Sequence, residues 1–133
     1  MLCRFLADGF DPWACEDAEF IDSYYSAGDD CVAVKSGKDS DPTIPWPCGT
    51  TMPTKNVRID NVTCDGSHGL TIGSEMSGGI DNVSFTNLRI SHSGPSVRIK
   101  SQCGRRGYVK NILCLLRQSI HLFLRVLSYA HPC

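Results

Sequence analysis

No aspartate or glutamate occurs after Asp81 in this chain of 133 residues. All 14 acidic residues lie in residues 1–81, while eight of the 13 lysines and arginines lie in residues 82–133. The formal net charge of -1 therefore hides two electrostatically opposite halves. Such a balance lacks the basic excess that carries nucleic acid, and none is expected as a partner. It leaves two readings open: charges scattered over solvated faces, or a basic wall facing an acidic one across a groove for an anionic ligand. Long apolar runs are absent too. Nothing approaches the ~20 residues of a membrane span, so no membrane partner is expected. The opening Met-Leu-Cys-Arg-Phe-Leu-Ala is too short for a signal peptide with an apolar core.

Zinc-type spacing is missing as well. Eight cysteines, Cys3, Cys15, Cys31, Cys48, Cys64, Cys103, Cys114 and Cys133, form no CxxC pair and no Cys/His cluster. Disulfides in an oxidising compartment are the better use of them, and no metal or cofactor is expected. Two sequons, Asn61-Val62-Thr63 and Asn82-Val83-Ser84, point the same way. The expected setting is extracellular, with the start of the secreted parent missing from this chain.

What is present is a repeat. The stretches DAEFID (17–22), NVRIDN (56–61) and NVSFTN (82–87) share one pattern: polar, apolar, variable, apolar, variable, then Asn or Asp. Each leads into a second short strand, VAVKSG, LTIGSE or VRIKSQ. Short β-branched strands between Gly, Asn and Ser turns, repeating without helical periodicity, predict the coils of a parallel β-helix. A β-sandwich would explain the strands but not the recurring asparagine. Phe20, Ile59 and Phe85 should then stack in line inside the helix. The proline-containing loop over 38–54 should form a flap outside the ladder.

A fourth copy opens at GYVKNI (107–112), but Leu116 stands where the next asparagine is due. Beyond it, LLRQSIHLFLRVLSYAHPC has no Gly, Asn, Asp or Glu, and its apolar residues fit one helical stripe. The expected organisation is a partial catalytic β-helix over 1–114 and an atypical tail over 115–133. The tail reads as a short capping helix or as out-of-frame sequence.

Chemistry concentrates where the coils would stack. GDDC precedes the second strand of the first coil, GSHG (66–69) that of the second, and RIK (98–100) is that strand in the third. Neighbouring coils lie ~4.8 Å apart, so these residues become neighbours on one face. The adjacent Asp29 and Asp30 pose a problem, because successive strand residues point to opposite faces. A bend before the strand would bring both to the groove. Carboxylates, an imidazole and two cations on one ladder suit acid–base cleavage of an anionic sugar polymer.

DGFDP (8–12), GDDCVAVKSG (28–37), GSHGLTIGSEMSGG (66–79), RIK and GRRGYVKNI (104–112) follow one another as in the polygalacturonases, the family 28 glycoside hydrolases of pectin degradation, and the chain resembles that family over about residues 7–112. The resemblance implies a right-handed parallel β-helix, here incomplete, and hydrolysis of α-1,4-galacturonosyl bonds with inversion. It implies Asp29 as general acid, Asp8 and Asp30 flanking the attacking water, and His68 tuning the acid and touching the sugar. Arg98 and Lys100 would grip the substrate carboxylate, Tyr108 would line the groove, and Cys31 and Cys64 would pair. An inverting pair is expected ~6.5–9.5 Å apart, to admit water. The expected partner is pectin, and the expected state a monomer. Two alternatives stand beside this reading: an inactive truncated remnant that still holds pectin, and a calcium-dependent pectate lyase on a similar solenoid.

Overall fold

The computed structural model describes residues 7–37, 52–92, 97–102, 107–119 and 124–129, with backbone alone at 118–119 and 124–129. Segments rich in Val, Ile, Phe and Thr become eight strands, as their fit to a pleated surface favours. In chain order they are β1 (Glu19–Ser26), β2 (Val32–Val34), β3 (Thr54–Asp65), β4 (Leu70–Ile72), β5 (Ile80–Ser91), β6 (Val97–Gln102), β7 (Val109–Ser119) and β8 (Leu124–Tyr129). The odd strands form one sheet, in the order β1-β3-β5-β7, and the even strands another, β2-β4-β6-β8. Every neighbouring pair is parallel. A chain that visits two parallel sheets in strict alternation winds as a parallel β-helix, and the parallel pairing excludes the antiparallel sandwich.

The register places Phe20 beside Ile59 and Ile59 beside Phe85. Ile59 and Phe85 are fully buried, and half-buried Phe20 stacks on Phe10 with ring centroids 5.0 Å apart. The interior stack expected from the repeat is therefore present.

The recurring asparagine now has a physical role. In β3 the buried positions are 54, 57, 59, 62 and 64, and in β5 they are 80, 83, 85, 88 and 90. Steps of three and two replace the even step of an ordinary strand. The extra residue falls each time at an asparagine with positive φ: Asn56 at 54°, Asn61 at 52°, Asn82 at 54° and Asn87 at 54°. Asparagine tolerates the left-handed region better than most residues. Its amide also reaches the preceding coil, from Asn61 to Asp22 and from Asn82 to Asn56. Each Asn thus turns the chain and restores the inward phase of the next apolar residue.

Where the asparagine is missing, the ladder slips. β5 and β7 keep register up to Thr86–Leu115, then shift so that Leu88, not Asn87, pairs with Leu116. The tail departs from the helical reading: 109–119 is strand β7, running unbroken across 114 and 115, and 124–129 is strand β8, paired with β6. Pairing with an existing sheet edge overrides a local pattern that allowed either structure. The loop over 38–51 and Cys3, Cys48, Cys103 and Cys133 lie outside the described residues. Among those described, no helix is long and apolar enough to cross a membrane.

Candidate active site

The extended segment at 9–13 runs parallel to β2, bridging Phe10 to Val32 and Trp13 to Lys35. This pairing brings Asp8 beside the Asp29-Asp30 pair. Gly9 makes the approach possible: a Cβ there would lie 2.6 Å from the Cys31 carbonyl oxygen and 2.6 Å from the Tyr25 ring. On the other side β2 pairs with β4 and β4 with β6, so His68 and then Arg98 and Lys100 follow in order. Asp8, the two acids, the imidazole and the two cations therefore form one row across four stacked segments. Cys31 and Cys64 are joined by a disulfide with Cα atoms 5.8 Å apart, tying the start of β2 to β3. Cys15 and Cys114 are free.

Adjacent acids share this face because the backbone bends between them. The Asp30 N–H donates to Asp29 Oδ1 at 2.8 Å, a local bond that competes with strand geometry. The Asp29 carbonyl accepts from the His68 N–H at 2.9 Å, and the Asp30 carbonyl from the Gly9 N–H at 3.0 Å. The two side chains have different environments. Asp29 has 37% of its side chain exposed and lies 3.3 Å from Nδ1 of His68, itself 54% exposed. Asp30 is only 5% exposed, with Oδ1 2.5 Å from Nη2 of Arg98 and Oδ2 2.8 Å from Nζ of Lys100. Arg98 also donates to the His68 carbonyl at 2.8 Å. A carboxylate this buried needs such partners.

Two consequences depart from expectation. Asp30 does not open onto the groove, since both its oxygens are engaged. The cations expected to hold a ligand already hold Asp30, and Lys110 likewise meets Asp81 at 3.2 Å. Part of the charge asymmetry of the sequence is thus answered by ion pairs between coils. Asp29 also lies within side-chain hydrogen-bonding reach of Asp8, closer than the gap expected of an inverting pair.

Lys35 and Asp11 belong to the same cluster and were not singled out from sequence. Lys35 Nζ lies 2.9 Å from Asp8 Oδ2 and 2.6 Å from Asp11 Oδ2. Burial pushes the Asp8 carboxyl up, but hydrogen bonds from Lys35, Asp11 and Asp29 outweigh it and hold Asp8 below its ordinary value. For Asp11 burial wins, aided by its contact with Asp8, and the carboxyl rises. Lys35, though burial opposes its charge, is held above the ordinary lysine value by its two acids. Tyr25, whose hydroxyl donates to the Ala7 carbonyl, is raised by burial and then by the surrounding aspartates. Strand alternation offered a signal for Lys35, which lies two residues beyond Ala33 on the face that Arg98 shares.

Tyr108 sits apart from the carboxylates in its contacts. Its ring rests on Gly79, where any Cβ would collide with it, and Lys110 Nζ lies 5.2 Å from the ring centroid. Asp29, Asp30 and His68 bring ligand-type atoms within 4.8 Å of one another. The Arg98 and Lys100 charges on Asp30 make that spot unfavourable for a further cation.

These features define a parallel β-helix protein with an acid–base cluster on one face. Residues 6–115 match the glycosyl hydrolases family 28, and the chain belongs to that family. It is 41% identical over 107 residues to a probable polygalacturonase of Vitis vinifera, covering 79% of this chain and 21% of that protein. It is 35% identical over 109 residues to a probable endopolygalacturonase D of Neosartorya fischeri, covering 80% and 20%. A polygalacturonase of Ralstonia nicotianae is 36% identical over 110 residues, covering 80% and 18%. The chain thus spans about a fifth of the length of these curated relatives. No solved structure matches it at a significant level.

Proposed function

We propose that this chain carries the catalytic coils of a secreted, polygalacturonase-type hydrolase acting on the α-1,4-galacturonosyl bonds of pectin. The observation that supports this reading most is the division of labour among three aspartates. Asp29 is accessible and touched by His68, Asp8 is held in its ionised form beside it, and Asp30 is buried as the anchor of two cations. Asp29 gives its proton to the glycosidic oxygen as the C–O bond breaks. Asp8 takes a proton from the water whose oxygen attacks the anomeric carbon. Lys100, with three donors and one of them on Asp30, retains donors for a substrate carboxylate. Arg98 positions Asp30 and the His68 loop, and Tyr108 offers a ring at the groove edge. The disulfide and the two sequons support an extracellular setting for a monomeric protein.

The test is reducing-end release from polygalacturonate with calcium chelated, with ultraviolet absorbance followed for unsaturated products. Asp29→Asn should lower turnover by about 100-fold or more while leaving oligogalacturonate binding largely intact. Lys100→Ala should chiefly raise KM. Full activity in Asp29→Asn would sink the assignment, and calcium-dependent absorbance would promote the lyase. Binding without turnover by the unaltered chain would favour a pectin-holding remnant.

A further inference from the structure

We propose that Lys35 is a positioning residue of the cluster: its ammonium, bridging Asp8 and Asp11, fixes the Asp8 carboxylate as the proton acceptor. The proposal rests on the reading of Asp8 as the base. Lys35 is well placed for this role. Its side chain is 16% exposed, and its ammonium contacts one oxygen, Oδ2, of each acid. Its backbone is fixed on both sides, the N–H donating to the Pro12 carbonyl at 2.9 Å and the carbonyl accepting from Ala14 N–H at 3.2 Å and Thr54 Oγ1 at 2.5 Å.

Without a cation between them the neighbouring carboxylates Asp8 and Asp11 would repel one another. Lys35 forms ion pairs with Asp8 and Asp11, and its charge favours the ionised form of the carboxylates it touches. The lowered Asp8 carboxyl agrees with this contact, whereas for Asp11 burial outweighs it. The charged and titratable groups facing Asp8 are Lys35 from beyond β2, Asp11 on its own segment, Asp29 from the bend, and Tyr25 from β1. Lys35 is the cation in direct contact with Asp8 among the described residues.

The experiment follows the side-chain carboxyl resonances of 13C-labelled aspartate against pH in the 133-residue chain and in Lys35→Met and Lys35→Arg. Lys35→Met should raise the Asp8 midpoint by about one to three pH units, and Lys35→Arg should return most of that shift. An unmoved Asp8 midpoint in a folded Lys35→Met would overturn the proposal. Should Lys35→Met fail to fold, the unaltered chain decides. The Lys35 Cε resonance should inflect at the Asp8 midpoint, and its silence there would overturn the proposal equally. Neither readout needs pectin, so failure of the hydrolase reading leaves both intact. Where turnover is measurable, Lys35→Met should also move the acid limb of kcat/KM to higher pH. Equal loss at every pH would reduce Lys35 to a structural role.

Discussion

The two sheets of this β-helix treat repetition in opposite ways. In the odd sheet β3 and β5 carry matching burial patterns over 12 residues each, and their interior residues stack like on like, Val57 on Val83 and Ile59 on Phe85. In the even sheet β2 and β4 are only three residues long, VAV and LTI. The residues bordering them differ from coil to coil: two acids, then a histidine, then an arginine and a lysine. Repetition buries apolar surface and holds the coils together. Departure from repetition, at positions that stacking brings side by side, assembles a cluster that no single coil encodes.

If that division holds, stability and chemistry should respond to different substitutions. Phe85 is fully buried at the centre of the odd sheet, flanked by Ile59 and Cys114. Phe85→Ala should cost about 3–5 kcal/mol, read as a fall in the denaturation midpoint by circular dichroism. Asp29→Asn, on a partly exposed side chain, should leave that midpoint almost unchanged while removing turnover. A large loss of stability in Asp29→Asn, or a small one in Phe85→Ala, would break the comparison.

The disulfide is the covalent link between the two sheets' neighbourhoods, joining residues 33 apart in sequence. Replacing Cys31 and Cys64 together by alanine should cost about 3–4 kcal/mol through the freedom regained by the unfolded chain. The same change should loosen the Asp29-Asp30 bend, because Cys31 directly follows it and its N–H donates to the Gly69 carbonyl at 2.8 Å. Enhanced amide exchange at Asp30 and His68, beyond that in β5, is the expected local signature. Uniform loss of protection would instead mean that the bond acts on global stability alone.

The odd sheet was legible in the sequence because its determinants are local. An apolar residue every two or three positions and an asparagine at each bend are visible within a dozen residues. The partners of Asp30 were not legible, since Arg98 and Lys100 lie 68 and 70 residues away and their preference for Asp30 over a ligand depends on burial depth. The motif order placed these groups on one face but not at one depth. Lys35 was overlooked although it lies in the same ten-residue stretch as Asp29, because its partners precede it by a whole coil. The tail misled for the converse reason. Without Gly, Asn or Asp as punctuation, an apolar run fits a helical stripe as well as a strand, and the waiting edges of β5 and β6 decide.

The smallest expected effect bears on the asparagines themselves. Asn82 holds φ at 54° and donates its amide to Asn56 Oδ1 at 2.9 Å on the exposed side of the ladder. Two contributions are therefore mixed: tolerance of the left-handed backbone and one exposed hydrogen bond. Asn82→Gly removes the bond while easing the backbone, and should cost at most about 1 kcal/mol. Asn82→Ala removes the bond and also strains the backbone, adding about 1–2 kcal/mol. The difference between the two variants, read from denaturant midpoints at equal m-value, isolates the backbone contribution. If alanine and glycine proved equivalent, the step of three in the burial pattern would not depend on a left-handed residue, and the recurring asparagine would serve the side-chain ladder alone. If alanine is worse by the expected margin, each asparagine is the device that returns the chain to its inward phase, and the slip at Leu116 is what its absence produces.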